Sequence, residues 1–109
     1  MGEKMAKGIK TSIFQTGVSA EVTGEVFEDE LVSIGTAVLA NITGSGGTLV
    51  IERKMDSSGK WVEISSEAVT AGTPLVLNYD FPLLEARAKF TPTGTSSLVE
   101  VAFWSKGRE

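Results

Sequence analysis

Apolar and polar residues alternate along most of this chain, which is the pattern of β-strands rather than of helices. The alternation is longest in residues 31–42, where every second side chain belongs to one apolar or β-branched face. That face comprises Val32, Ile34, Thr36, Val38, Ala40 and Ile42. The opposite face carries small residues and two leucines, so we expect it to be partly covered. The segment predicts a long central strand with a bend at Gly35.

The same alternation recurs on both sides of this segment. Upstream, Val18, Ala20, Val22 and Val26 lie in phase, and a turn is expected at residues 28–30. Downstream, Leu75, Leu77 and Tyr79 lie in phase, and Leu84, Ala86, Ala88 and Phe90 are predicted to face inward. In the last segment, Val99, Val101 and Phe103 share one face, and Leu98, Ala102 and Trp104 share the other. At residues 82–85 the alternation favours a strand, although the residue types also permit a helical turn. Residues 43–47, TGSGG, are expected to form a flexible loop without side chains to pack.

Residues 51–64, IERKMDSSGKWVEI, predict a β-hairpin with a polar turn. Asp56 can hydrogen-bond to the turn backbone, and Gly59 can adopt a positive φ at its exit. Trp61 follows the turn, where it either packs at the end or edge of the core or is exposed for a ligand. The candidate exposed loop tip consists of Asp56, Ser57, Ser58, Gly59 and Trp61.

These segments amount to about seven or eight short strands, with turn signals every 8 to 12 residues or so. We therefore predict an all-β fold, a single antiparallel β-sandwich of immunoglobulin-like or jelly-roll-like type. Residues 1–14 lack periodicity and are expected to form an extended N-terminal arm. Residues 15–105 form the predicted sandwich domain, and residues 106–109 form a polar C-terminal tail.

The composition excludes several kinds of chemistry. The 109 residues include no cysteine and no histidine, which removes disulfides, thiolate metal sites and the commonest general base. A net charge of −4 argues against nucleic acid as a partner. No apolar run reaches the length of about 18 to 20 residues that crosses a bilayer, so no membrane association is expected. We predict a protein made in the cytoplasm of its host cell.

The remaining polar residues do not form a recognisable catalytic motif. The acidic residues fall at predicted turns or on outward faces of strands, where solvation explains them, and the EDE sequence at residues 28–30 reads as a solvated turn rather than a calcium site. Serine is abundant, but no nucleophile elbow is present, and Ser57–Lys60 is explained by the hairpin turn. We therefore expect no catalytic residue, no metal ligand and no cofactor.

Two groups of residues carry a resemblance to a known class of proteins. The hairpin supplies Glu52, Asp56, Gly59 and Trp61, and the closing strand–turn–strand unit supplies Arg87, Ala88, Gly94 and Thr95. In this order they make residues 32–104 resemble small β-sandwich structural proteins of tailed-bacteriophage particles. That class comprises capsid decoration or cement proteins, head fibres and tail-associated modules.

The resemblance implies a non-enzymatic virion structural protein, above all a capsid decoration protein that binds the coat lattice and stabilises the particle. Its partners would be the major capsid protein or other virion proteins, and copies of itself as a trimer or dimer. We expect contacts through the arm and one sheet edge, where Trp104 is placed if the last strand is an edge. The candidate contact residues are Met5, Ile9, Ile13, Phe14 and Trp104.

The alternative function is a carbohydrate-binding or adhesion module of a tail or fibre. Aromatic rings are the usual stacking platforms for sugars, and Trp61, Tyr79 and Trp104 are the candidates. The sequence does not decide between a position on the capsid and a position on the tail.

Overall fold

The structure is a computed structural model that describes residues 9–28, 34–55 and 59–106. Within these residues the chain forms nine strands and no helix. They are β1 (Ile9–Val18), β2 (Val22–Thr23), β3 (Phe27–Glu28), β4 (Gly35–Thr43), β5 (Gly47–Met55), β6 (Lys60–Val69), β7 (Leu75–Tyr79), β8 (Glu85–Pro92) and β9 (Ser96–Lys106). The alternating segment upstream of residue 28 contains the two short strands β2 and β3 instead of one strand, and β1 includes residues that were expected to belong to the arm.

The strands form two antiparallel sheets, which confirms the predicted all-β sandwich. Sheet A has the order β1–β9–β4–β7. Sheet B has the order β2–β8–β5–β6, and β3 pairs with β8 as well. The longest uninterrupted register joins β4 to β9, from Gly35 opposite Lys106 to Thr43 opposite Leu98. These two strands are therefore the centre of sheet A.

The core lies between the two sheets and is built by the alternation seen in the sequence. The even-numbered residues of β4 from Thr36 to Ile42 are fully buried, as are the predicted inward residues of β8 other than Leu84. Of the two faces of β9, the one with Val99, Val101 and Phe103 is fully buried. Phe27 and Phe103 stack across the core with ring centroids 5.1 Å apart. Burial of a phenylalanine side chain contributes about 1.5–3 kcal/mol, so such rings contribute much of the stability.

The alternation fails where the chain leaves regular pairing. Phe27 is buried and Val26 is exposed, which reverses the predicted phase. The cause is the break between β2 and β3, where the Gly24 amide donates to the Ala88 carbonyl and the Glu25 amide to the Ser12 carbonyl. At residues 82–85 there is no helical turn; Leu84 instead has a left-handed φ of 65° before β8 begins. The predicted turn at residues 28–30 lies mostly outside the described residues, as does Val32.

The TGSGG segment is a packed turn, so the expectation of a flexible loop was wrong. Gly44 has a φ of +89°, which favours glycine. At Gly47, a Cβ atom would overlap the carbonyl oxygen of Thr91 in β8. The Ser96 hydroxyl also donates to the Ser45 carbonyl. Glycine lacks a side chain to pack, but for that reason it lets the backbone itself pack closely.

The N-terminal part of the sandwich begins earlier than the alternation indicates. Residues 9–14 of the expected arm belong to β1, which pairs with β9 from Ile9 opposite Trp104 to Val18 opposite Ser96. Lys106, the first residue of the expected polar tail, is the last residue of β9. Residues 1–8 and 107–109 lie outside the described part of the chain.

Candidate functional site: the outer faces of the two sheets

The outer face of sheet A has an apolar centre at Ala37, Leu39, Ala102 and Trp104, with polar residues such as Thr16, Asn41 and Asn78 beside it. Residues that are opposite each other in the register of neighbouring strands point to the same side of a sheet. Trp104 lies beside Ala37, Ala102 lies beside Leu39, and Leu39 lies beside Val76. We define the apolar face by these outward residues of its four strands: Phe14, Ala37, Leu39, Val76, Leu98, Ala102 and Trp104.

The larger side chains of the apolar face are open to solvent to different degrees. Phe14 is 64% exposed and Val76 is 52% exposed, whereas Trp104 and Leu39 are half-buried. Ala37 and Ala102 are buried although they point outward, so their larger neighbours close over them. Contiguous exposed apolar surface of this kind is typical of a protein contact site.

Two charges stand on this outer face, and both belong to β9. Glu100 and Lys106 are its charged outward residues within the described strands, and they lie on opposite sides of Ala102 and Trp104. The Nζ of Lys106 donates to Oδ1 of Asn78 at 3.5 Å. Neither residue forms an ion pair with another described residue.

The outer face of sheet B is charged, and six of its ionic side chains are paired with one another. These six residues define the charged face: Glu21, Glu52, Lys54, Glu85, Arg87 and Lys89. Glu28 and Glu63 also lie on this side of the sheet, and neither forms an ion pair with another described residue. Arg87 Nε donates to Oε1 of Glu52 at 2.7 Å, and Lys89 Nζ lies 3.5 Å from the other oxygen of Glu52. Lys89 also approaches Glu21, and Lys54 approaches Glu85, each at 3.6 Å. This arrangement needs no external partner.

Glu52 is the centre of this network, and its side chain is only 13% exposed. Burial raises the pKa of Glu52, but the hydrogen bond from Arg87 and the charges of Arg87 and Lys89 outweigh it and leave the pKa below its ordinary value. The carboxylate is therefore ionised at neutral pH. Because both of its oxygens are engaged, it acts as a structural acceptor and is poorly suited to transfer protons.

The aromatic residues near the hairpin are engaged within the chain. The Arg87 guanidinium lies 4.3 Å from the centroid of the Trp61 ring. The guanidinium therefore covers one face of the ring. The hydroxyls of Tyr79 and Ser65 share a 2.7 Å hydrogen bond that links sheet A to sheet B. Burial, and to a lesser extent the charge of Glu67, raise the pKa of Tyr79 although the Ser65 contact lowers it. The Trp61 ring is half-buried and has a packing contact on one face, and the Tyr79 hydroxyl has a partner in the chain.

The structure places the predicted contact residues in different environments. Phe14 and Trp104 share the outer face of sheet A, whereas Ile13 is 3% exposed and packs in the core, which leaves it no surface for a partner. The register of β1 shifts between Thr11 and Ile13, so a simple alternation misplaces residues near this bulge. Met5 lies outside the described residues, and Ile9 is the first residue of β1.

The reason given for choosing Trp104 was wrong. Strand β9 lies between β1 and β4 in the middle of sheet A, not at its edge. Trp104 is accessible because its side chain points away from the core, toward the outer surface. The β1 and β7 strands form the edges of the sheet instead.

At the predicted loop tip, Gly59 adopts the expected positive φ of 79°, and Trp61 pairs with Lys54 in the hairpin register. Residues 56–58 lie outside the described part of the chain. The hairpin itself is confirmed, with Met55 opposite Lys60 at its end.

The sequence reasoning missed that Leu39, Val76 and Ala102 share the outer face of sheet A with Trp104. A signal was available, because β4 and β9 carry apolar residues on both faces, unlike β8. An antiparallel strand with one solvated face alternates cleanly, so two apolar faces indicate that something covers the second one.

The described residues contain no group of three or more acidic residues, histidines or cysteines that could hold a metal ion. Among the same residues, no helix is long and apolar enough to span a bilayer.

No protein-family model matches the chain, and no curated protein matches its sequence significantly. Solved structures do match. The Yersinia pseudotuberculosis-derived mitogen has 17% identity and a TM-score of 0.53, over 94% of this chain and 88% of that one. PirA has 18% identity and a TM-score of 0.53, over 95% and 96% of the two chains. The SPBc2 prophage-derived protein YomS has 16% identity and a TM-score of 0.51, over 96% and 97%. The chain thus shares the fold of these proteins almost from end to end.

Proposed function

We propose that this protein is a non-enzymatic structural component of a bacteriophage particle, a capsid decoration protein that binds the coat lattice. The free edge of sheet A at β1, with the exposed Phe14 on it, is the observation that carries the proposal, because an unpaired edge strand is suited to protein contact. A prophage-derived protein among those with the same fold is consistent with this origin. Its location would be the virion, after synthesis in the bacterial host.

The edge of sheet A at β1 is the proposed contact with the coat protein. Strand β1 pairs with β9 on one side only, so its other side offers backbone groups to an added strand. Phe14 projects from this edge strand and is the most exposed of the large apolar side chains in the described residues. We propose that residues 1–8, which include Met5, extend the same contact.

A decoration protein needs a rigid module and an accessible surface rather than a cleft. The core and the ion-pair network of the charged face supply rigidity. Many equivalent sites on a shell also let individually weak contacts act together. The side chains with shifted pKa values, Glu52 and Tyr79, are engaged by neighbours in the chain, which supports a structural role for them.

The sugar-binding alternative has no comparable support. Arg87 covers one face of Trp61, and the hydroxyl of Tyr79 is engaged by Ser65. Trp104 lies beside Ala37 in the register of sheet A, and the nearest outward residue before it on β9 is Ala102.

Co-sedimentation tests the proposal directly. Purified protein is mixed with undecorated capsids assembled from the coat protein of the same genome, and the bound fraction is measured against concentration. We expect saturable binding with a dissociation constant in the micromolar range or tighter, and Phe14→Ser should weaken it by about tenfold or more, which is about 1.4 kcal/mol. Phe81→Ser is the matched control, because Phe81 is also exposed, at 47%, but lies in the loop after β7.

Two results would contradict the proposal. Absence of binding at about 100 μM protein would exclude a useful affinity for the shell. Equal weakening by Phe14→Ser and Phe81→Ser would show that the β1 edge is not the contact.

A further inference from the structure

The outward residues of β9 have a complementary order along the strand. In sequence they are Glu100, Ala102, Trp104 and Lys106, placed symmetrically about the inward-facing Phe103. A negative charge at one end thus matches a positive charge at the other, and a small residue matches a large one. An antiparallel copy of this strand laid over it would find a complementary partner at each position.

We propose that the apolar face binds a second copy of this chain, face to face, about a twofold axis that passes over Phe103 between the two sheets. In this arrangement Glu100 lies opposite the partner's Lys106, and Trp104 lies opposite the partner's Ala102. Each contact occurs twice, as twofold symmetry requires. The inference rests on the proposed function for its biological setting only.

The neighbouring strand has the same complementarity. Ala37 lies beside Trp104 and Leu39 lies beside Ala102, so large and small residues alternate between β4 and β9. The twofold axis that places Trp104 over the partner's Ala102 also places Leu39 over the partner's Ala37. A single operation therefore matches both central strands of sheet A.

Charge supports a second copy over an unrelated partner. Glu100 and Lys106 have no ion-pair partner among the described residues, and the twofold arrangement gives each of them one of opposite charge. Two packed sheets lie about 10 Å apart, and their strands are rotated by about 30° relative to each other. A residue three positions from the axis is therefore displaced sideways by about 5 Å from the partner residue that it faces. Glutamate and lysine side chains are long enough to meet over that distance.

The size of the face is sufficient for a dimer of moderate affinity. Four strands about 4.8 Å apart and about 25 Å long present about 500 Å² per copy, or about 1,000 Å² in total. This lies near the lower limit of specific interfaces, so we expect a dissociation constant in the micromolar range. Phe14 lies at the rim of the face, and the β1 edge stays free for the coat protein.

Sedimentation velocity with charge reversal tests the dimer. The full chain is studied as wild type, Glu100→Lys, Lys106→Glu and the double variant, from about 1 μM to about 500 μM, a range that brackets the expected dissociation constant. Each single variant places like charges together at both ends of the interface and should lower the association constant by about tenfold or more. The double variant restores opposite charges and should recover dimerisation.

Glu63→Lys is the matched control. Glu63 is exposed on the outer face of sheet B, opposite Glu52 in the hairpin register, and its reversal changes the net charge by the same amount as Glu100→Lys. It should leave the dimer intact. Trp104→Ser is a second, uncharged variant that should abolish the dimer, and circular dichroism confirms that each variant is folded.

Three outcomes would overturn the inference: a wild-type monomer or trimer throughout the concentration range, single variants that dimerise as the wild type does, or a double variant no better than the single ones. Because sedimentation uses no capsid, it separates this inference from the proposed function. Capsid binding by a monomeric protein would refute the dimer alone, whereas a dimer that ignores capsids would refute the decoration role alone.

Discussion

The outer faces of the two sheets follow the same alternation but have opposite chemistry. On sheet B, outward charges such as Glu52 and Arg87 meet partners in the same chain. On sheet A, the outward residues at the centre of the sheet are mostly apolar, and Glu100 has no ion-pair partner among the described residues. A face whose groups are satisfied internally contributes to the stability of the monomer. A face whose groups are not satisfied is suited to association.

The layer between the faces should give the largest effect on stability. Phe103 is fully buried and stacks on Phe27. Phe103→Ala removes these contacts and leaves a cavity, which should lower the free energy of unfolding by about 3–5 kcal/mol. Urea denaturation followed by circular dichroism measures the loss. A loss below about 1 kcal/mol would show that the two sheets are not packed as described.

The charged face should give the next largest effect. Glu52→Ala leaves Arg87 and Lys89 without their shared acceptor and should lower the free energy of unfolding by about 1.5–3 kcal/mol, the range for hydrogen bonds to charged groups. Trp61 emission should also change, because Arg87 is then no longer held over the ring. An unchanged stability at pH 7 would contradict the role assigned to Glu52.

The contribution of Glu52 should depend on pH with a defined sign. Its pKa in the folded protein lies below the ordinary value of 4.5, so the contribution is complete above about pH 4.5 and is lost as the pH falls through the folded-state pKa. The stability difference between wild type and Glu52→Gln should therefore shrink on acidification below pH 4.5. Unfolding curves at several pH values measure it, and a difference that grows toward acid would contradict the network.

The apolar face should affect association more than stability. Trp104→Ser removes a half-buried ring and should lower the stability of the monomer by about 1 kcal/mol, less than a fully buried side chain would. The same variant should abolish self-association in sedimentation experiments. A loss of stability comparable to that of Phe103→Ala would mean that Trp104 belongs to the core of the monomer.

The exposed pair of Lys54 and Glu85 should give the smallest effect. Both side chains are more than a third exposed, and the charged atoms are 3.6 Å apart. Lys54→Ala should change the free energy of unfolding by no more than about 0.5 kcal/mol, as is usual for exposed ion pairs. A larger loss, measured in urea, would extend the network of Glu52 to this pair.

The sequence predicts those parts of the fold that depend on local alternation. The inward residues of β8 and β9 from Ala86 to Phe103 and the hairpin at Gly59 follow from period and turn chemistry. Trp104 was expected at the surface, and it lies on the outer face of sheet A, but not for the reason given. Strand order arises from pairing between distant segments, so nothing in β9 alone indicates that it is central.

Local irregularity explains most of the other errors. The bulge next to Ile13 and the break before Phe27 each shift the alternation by one residue. One such shift moves a side chain to the other face of the sheet. At Gly47 the sequence shows only a missing side chain, while the close approach of Thr91 depends on the folded chain. The apolar face was missed because its members are adjacent only across strands.

The most direct test of the apolar face measures the exposure of Trp104 itself. In a Trp61→Phe variant, Trp104 is the single tryptophan of the chain. Acrylamide quenching of its emission is measured from about 1 μM to about 500 μM protein, which brackets the expected dissociation constant. The account predicts that quenching falls as the concentration rises, because the partner covers the ring. Quenching that is the same at every concentration would contradict it.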